Sequence, residues 1–141
     1  MTSLVFPDIN VWLALNYSHH AHHERSNLWF ESLDHNAELI FCRFTQMGLL
    51  RLLTTSAVMG AEVKTQRQAW RMYDVLLRDG VRFMQEPRTL DESFRSLARL
   101  NSASPKDWAD LYLAAFAAES GAGLVTFDKA LAKHAVGAVL L

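Results

Sequence analysis

Leu4-Val5-Phe6-Pro7-Asp8-Ile9-Asn10 decides how the rest of the chain is read. Three apolar residues run into a carboxylate, and Val11-Trp12-Leu13-Ala14-Leu15 then reads as the start of a helix. A short apolar run ending in an acid is how a buried parallel strand delivers a side chain to the edge of its sheet. Pro7 cannot donate to a ladder, so pairing is expected to end about there. In open α/β sheets the binding crevice lies outside the carboxyl ends of the strands. The question is whether other carboxylates reach the same edge.

Outward from that stretch, short apolar runs alternate with helical patterns. Strands are expected at Ala37 to Phe41, Val81 to Met84 and Leu124 to Phe127, with an edge strand at Ala138 to Leu141. Helices are expected over Glu24 to Leu33, Thr45 to Thr54, Thr65 to Leu77, Thr89 to Leu100 and Lys106 to Ser120, with a short one after Asp128. Leu28, Trp29 and Leu33 form the apolar face of the first of these, and Met47, Leu49, Leu50, Leu52 and Leu53 make the second mostly buried. Asp79-Gly80 stops the third. This alternation predicts an α/β fold, a three-layer α/β/α sandwich on a mostly parallel sheet covered on both faces. One domain over residues 1–141 is expected.

Composition excludes several classes. Half of the 141 residues are hydrophobic, which rules against disorder, and the net charge of −1 rules against gripping nucleic acid by charge alone. A single cysteine, Cys42, allows no internal disulfide and fits a reducing compartment. Met1 to Phe6 shows no signal-peptide pattern, and no apolar run approaches the ~20 residues of a membrane span. A soluble, cytoplasmic protein without a membrane partner is expected.

Asp128 follows Leu124-Val125-Thr126-Phe127 as Asp8 follows its own strand. Read singly, each is as well explained as the N-cap of the next helix. Their matching placement favours a shared site. Ser104-Pro105-Lys106-Asp107 reads as a helix start with Ser104 as N-cap and Pro105 first in the helix, which gives Asp107 a structural role. Asp110 has no such role. It lies one turn further on, and the residues that follow on its face (Leu113, Ala114 and Ala117) are apolar. A carboxylate there must be paired, protonated or bound to a metal. Three acids without a dedicated basic partner point to a hard cation, Mg²⁺ or Mn²⁺, and to in-line phosphoryl displacement. Asn10 and Thr126 stand beside Asp8 and Asp128 as neutral oxygen donors that could orient them. His19, His20, His22 and His23 are dense enough to raise a transition metal, but read better as a polar loop entering a helix. Arg25, Arg43, Arg51 and Lys129 are phosphate-contact candidates, and Trp108 is expected near the acidic edge.

Asp8-Ile9-Asn10, Asp110 followed by Leu111-Tyr112-Leu113-Ala114-Ala115-Phe116-Ala117, and Thr126-Phe127-Asp128 resemble the PIN domain across essentially the whole chain. The likeness is to VapC-type ribonuclease toxins of toxin–antitoxin systems, one branch of which is also suggested by Trp29, Thr45 to Arg51 and Gly121 to Asp128. The resemblance implies a Mg²⁺- or Mn²⁺-dependent endoribonuclease acting on RNA. It further implies a homodimer held inactive by a cognate antitoxin. Asp8, Asp110 and Asp128 would be the catalytic and metal-binding acids, with Asn10, Gln46, Asp107 and Thr126 in support. One departure matters. The family pattern has a Glu where this chain has Gln46, which keeps an oxygen donor but loses a charge. Gln46 or Asp107 then remains open as the fourth member. The alternative reading is a non-catalytic or weakly active binding module acting through an antitoxin-like protein partner.

Overall fold

The computed structural model describes residues 3–141; Met1 and Thr2, the start of the stretch read for a signal peptide, lie outside the described residues. Five strands form one all-parallel sheet: β1 (Ser3–Pro7), β2 (Ala37–Phe41), β3 (Arg82–Phe83), β4 (Gly123–Thr126) and β5 (Val139–Leu140). Their order across the sheet is β3-β2-β1-β4-β5, with Val5 opposite Leu39 on one side and opposite Gly123 on the other. The connections therefore reverse direction between β1 and β4, which opens the crevice expected at such a switch point.

The helices are α1 (Ile9–Asn16), α2 (His23–Glu31), α3 (Arg43–Leu53), α4 (Ser56–Met59), α5 (Gln66–Arg78), α6 (Leu90–Leu97), α7 (Asp107–Ser120) and α8 (Lys129–His134). Alternation along each strand splits the apolar residues between two cores. Val5, Leu39, Phe41 and Val125 pack with Trp12, Leu49, Leu53 and Tyr73 from α1, α3 and α5. Phe6, Ile40 and Leu124 pack with Leu90, Leu113, Phe116 and Leu131 from α6, α7 and α8. Trp12 stacks on Phe41 at 4.1 Å, and Phe6 meets Phe116 at 4.9 Å, so a large aromatic pair anchors each layer to the sheet. The three-layer sandwich expected from the sequence is what forms.

Local differences have physical causes. Strand β1 includes Pro7, which pairs with Val125. The Asp8 N–H donates to Val125 O at 2.9 Å, so the missing Pro7 N–H falls on the β2 side, where the register ends at Val5. Helix α3 begins at Arg43, two residues before the expected Thr45, because the Thr45 hydroxyl reaches back to accept the Cys42 N–H at 3.0 Å. Met47 and Leu28, both expected inward, are exposed. Helix α7 begins at Asp107 with Lys106 as its N-cap, not Ser104. Ser104 sits at φ 40°, outside the extended conformation of a capping residue, so Pro105 and Lys106 form a turn ahead of the helix. Gly48 lets α3 approach α1: a Cβ there would lie 2.2 Å from Ile9 Cδ1 and 2.7 Å from Ile9 Cγ1. Among the described residues no helix is long and apolar enough to cross a membrane.

Candidate functional site

Both strand-end acids cap the helix that follows them. Asp8 Oδ1 accepts the Ile9 N–H at 2.7 Å, and Asp128 Oδ1 accepts the N–H groups of Ala130 at 2.8 Å and Leu131 at 3.4 Å. The capping role does not exclude a shared one, because Thr126 ties the two together. Its hydroxyl donates to Asp8 Oδ2 at 3.0 Å and accepts the Asp128 N–H at 3.0 Å. Thr126 is fully buried, so this link between residues 118 apart in sequence is shielded from water. Asp8 therefore has both carboxylate oxygens fixed, one by α1 and one by β4.

The third acid enters from α7, the helix with the longest buried face. Leu111, Leu113, Ala114, Ala115, Phe116 and Ala117 sink this helix against the sheet, which brings its first turn to the same edge. Asp110 is half-buried there. Burial pushes its carboxyl above the usual range; the charges of Asp128, Asp8 and Asp107 push it the same way, and His134 opposes them. Asp8 is likewise held above the ordinary carboxylate range by burial, against the pull of the Ile9 N–H and the Thr126 hydroxyl, with Asp128 adding to the rise. The structure thus brings Asp8, Asp128 and Asp107 close enough for their charges to act on Asp110, and Asp128 close enough to act on Asp8. No Lys or Arg is among the groups that shift Asp8 or Asp110; His134, at the end of α8, is the only basic one, and nothing in its local sequence marks it out.

With the Ser104 side-chain cap replaced by a turn in which the Asp107 N–H donates to Ser104 O at 3.0 Å, Asp107 stands in the first turn of α7 with Asp110, at the positive end of the helix. Asn10, on the first turn of α1, is exposed and hydrogen-bonded to none of the acids. Gln46 is 5% exposed, and its oxygen is already committed: Arg43 Nη1 donates to Oε1 at 2.5 Å. The Tyr73 hydroxyl shares the same amide, and Arg43 in turn lies over the Phe83 ring at 4.6 Å. Gln46 therefore holds an arginine in place. Of the two candidates left open for a fourth member, Asp107 is the one that acts on Asp110. The one signal of the Arg43–Gln46 pair in the sequence is its spacing of three residues on one helix.

The donor chemistry is that of a hard cation: clustered carboxylates, neutral oxygens, no thiolate. Among the described residues no three such side chains stand close enough to enclose an ion by themselves. Among the described residues the histidines form no metal-binding group. His19 pairs with Glu62 at 2.5 Å, His23 with the Ala14 carbonyl at 2.6 Å, and His20 and His22 lie ring to ring at 5.8 Å. Arg25, Arg51 and Lys129 are exposed. Trp108 is 57% exposed and touches Phe94 edge-on at 6.2 Å.

Comparison with known proteins agrees with this geometry. The PIN domain family model matches residues 5–137. Ribonuclease VapC41 of Mycobacterium tuberculosis, in both the CDC 1551 / Oshkosh and H37Rv strains, is 42% identical over 132 residues, covering 90% of each chain. Among solved structures, VapBC2 from Rickettsia felis bound to a DNA fragment from its promoter superposes with a TM-score of 0.68. It is 15% identical and covers 98% of this chain and 97% of that one. VapC20 of M. tuberculosis, a sarcin-ricin loop cleaving toxin, gives 0.66 at 17% identity over 93% and 94% of the two chains.

Proposed function

The chain belongs to the PIN-domain family, and on that premise we propose that it is an endoribonuclease of the VapC toxin type, a hydrolase of RNA phosphodiesters. The observation that carries the reading is that Asp8 and Asp128, at the ends of the two strands where the order reverses, are joined through Thr126, with no Lys or Arg among the charges that shift Asp8 and Asp110. The 42% identity to a ribonuclease supports it. Asp8, Asp110 and Asp128 would hold a divalent cation, Mg²⁺ or Mn²⁺, with Asp107 adding negative charge beside Asp110. When bound, such a cation supplies water activation near neutral pH and neutralises charge at the phosphodiester. Thr126 holds Asp8 Oδ2, and the caps of α1 and α8 fix the Asp8 and Asp128 rotamers, so little reorganisation is needed when substrate arrives. Arg43, held by Gln46 and Phe83, is the proposed phosphate contact.

A protein antitoxin is the proposed partner, supported by the likeness to VapBC2. A homodimer is proposed as well: Phe30 and Met47 are exposed apolar residues available to an interface, while Trp29 and Leu50 are half-buried. The whole of residues 1–141 is proposed to act as one unit.

Asp8→Asn tests the assignment better than Asp8→Ala, because Asn caps a helix as well as Asp does. The variant is expected to lose RNA cleavage in Mg²⁺ or Mn²⁺ while its far-UV dichroism and melting cooperativity stay those of the parent. Retained cleavage overturns the site. The rival reading, a binding module without catalysis, is favoured if calorimetry finds no Mg²⁺ or Mn²⁺ uptake at millimolar concentration.

A further inference from the structure

We propose that His22, stacked on Phe127, is a base-stacking platform for the RNA nucleotide beside the scissile phosphate; this rests on the ribonuclease reading above. Phe127 stands between Thr126 and Asp128 in the chain, half-buried against the core of α1 and α3. The His22 ring lies against it at 4.5 Å and 25°, and the His20 ring meets His22 at 5.8 Å and 47°. His20 is tilted against His22 and is not stacked on it, so only Phe127 lies flat on the His22 ring.

The rings of the neighbouring histidines are engaged in hydrogen bonds, and the His22 ring is held by ring contacts alone. His19 is paired with Glu62, and His23 is tied to the Ala14 carbonyl and to Asn27. His22 is exposed, and among the described residues its ring makes no hydrogen bond. An exposed imidazole laid flat on a phenyl ring offers a π surface at the right place and leaves its nitrogens free.

The loop that carries it is held at both ends. The His20 N–H donates to Tyr17 O at 3.0 Å, the Ser26 N–H to His22 O at 2.9 Å, and the His22 N–H to His20 Nδ1 at 3.0 Å. The Tyr17 hydroxyl anchors the loop to Met59 O at 3.3 Å. A platform fixed in this way loses little freedom when a base lands on it.

The need for such a contact follows from charge. With a net charge of −1 and an acidic edge, the protein cannot draw RNA in by its overall field. Stacking on an aromatic ring is indifferent to charge and available to every base, and RNA recognised in single-stranded loops presents its bases for it.

The test uses the cleavage-deficient Asp8→Asn protein in Mg²⁺ and a short fluorescein-labelled single-stranded RNA of mixed sequence, read by anisotropy. Adding His22→Ala is expected to weaken binding about five-fold or more, the lower end of what one stacked base is worth, whereas adding His22→Phe changes it less than about two-fold. In the otherwise native protein, His22→Ala is expected to raise KM with kcat little changed. Equal losses in the Ala and Phe variants overturn stacking, because they show that the ring nitrogens carry the contact. Unchanged binding in His22→Ala overturns the platform while leaving the ribonuclease reading intact. Absence of RNA binding in Asp8→Asn alone, together with absence of cleavage by the native protein, overturns both. Thermal melts of each variant confirm folding, which exposure of His22 favours.

Discussion

Replacing Thr126 with Val removes one oxygen and almost nothing else. The side chain keeps its branched shape in a fully buried position, so no cavity forms. Two bonds go. The hydroxyl no longer donates to Asp8 Oδ2, and it no longer accepts from the Asp128 N–H, each at 3.0 Å. A hydrogen bond to a charged group contributes about 1.5–3 kcal/mol, and a stranded N–H costs about 1 kcal/mol more where water reaches it in part. The loss expected is about 3 kcal/mol, a fall in Tm on the order of 10 °C for a chain of this size. Thr126→Ser keeps both bonds and loses a methyl group, so it should fall short of the native protein by only about 1 kcal/mol. Urea denaturation gives the stabilities. Cleavage gives a second reading: the hydroxyl lowers the Asp8 pKa, so in Thr126→Val the acid limb of the pH–rate profile should move up. A Val variant within about 0.5 kcal/mol of native, with an unmoved acid limb, would refute the idea that Thr126 joins the two strand-end acids.

Further outcomes follow from the same geometry. Asp8 and Asp110 hold their protons more tightly folded than unfolded, so their contribution to stability is full below the ordinary carboxylate range and is lost as pH rises through the raised values. The stability of Asp8→Asn relative to native should therefore increase across that window, and a difference that is flat with pH contradicts the burial argument. Cation uptake needs both groups ionised, so Mg²⁺ affinity measured by calorimetry should begin to fall at a higher pH than for ordinary carboxylates. Gly48→Ala should cost about 1–3 kcal/mol in urea denaturation, since Ile9 must turn away from the new methyl, and Ile9→Val should recover part of it. Gln46→Glu should give its charge to Arg43 and leave Mg²⁺ affinity within about three-fold; a ten-fold tightening, about 1.4 kcal/mol, would show that this position reaches the cation.

The architecture was legible because each strand announced itself twice, by an apolar run and by what ended it. Ala37 to Phe41 is bounded as read, and Asp79-Gly80 stops α5 where expected. Asp8 and Asp128 stood out because two strands ended alike, and Asp110 because an acid interrupts an apolar face. What the sequence could not reveal lies in contacts between distant segments or in backbone angles. The link through Thr126 spans 118 residues, and His22 meets Phe127 across more than a hundred. The Ser104 cap failed on a φ of 40° that no local spacing encodes. Gln46 was judged by the residue it replaces, when its neighbour Arg43 had already taken its oxygen.

The strand order has a consequence for synthesis. β1 is made first and lies at the centre of the sheet, but its β4 neighbour is separated from it by more than a hundred residues, and every parallel pairing here is non-local. Pairings of that kind form late and slowly. A nascent chain with Asp8 and even Asp110 already outside the ribosome still lacks Thr126 and Asp128, so the acidic edge cannot assemble. The edge that joins Asp8 to Asp128 through Thr126 therefore completes only when β4 docks beside β1.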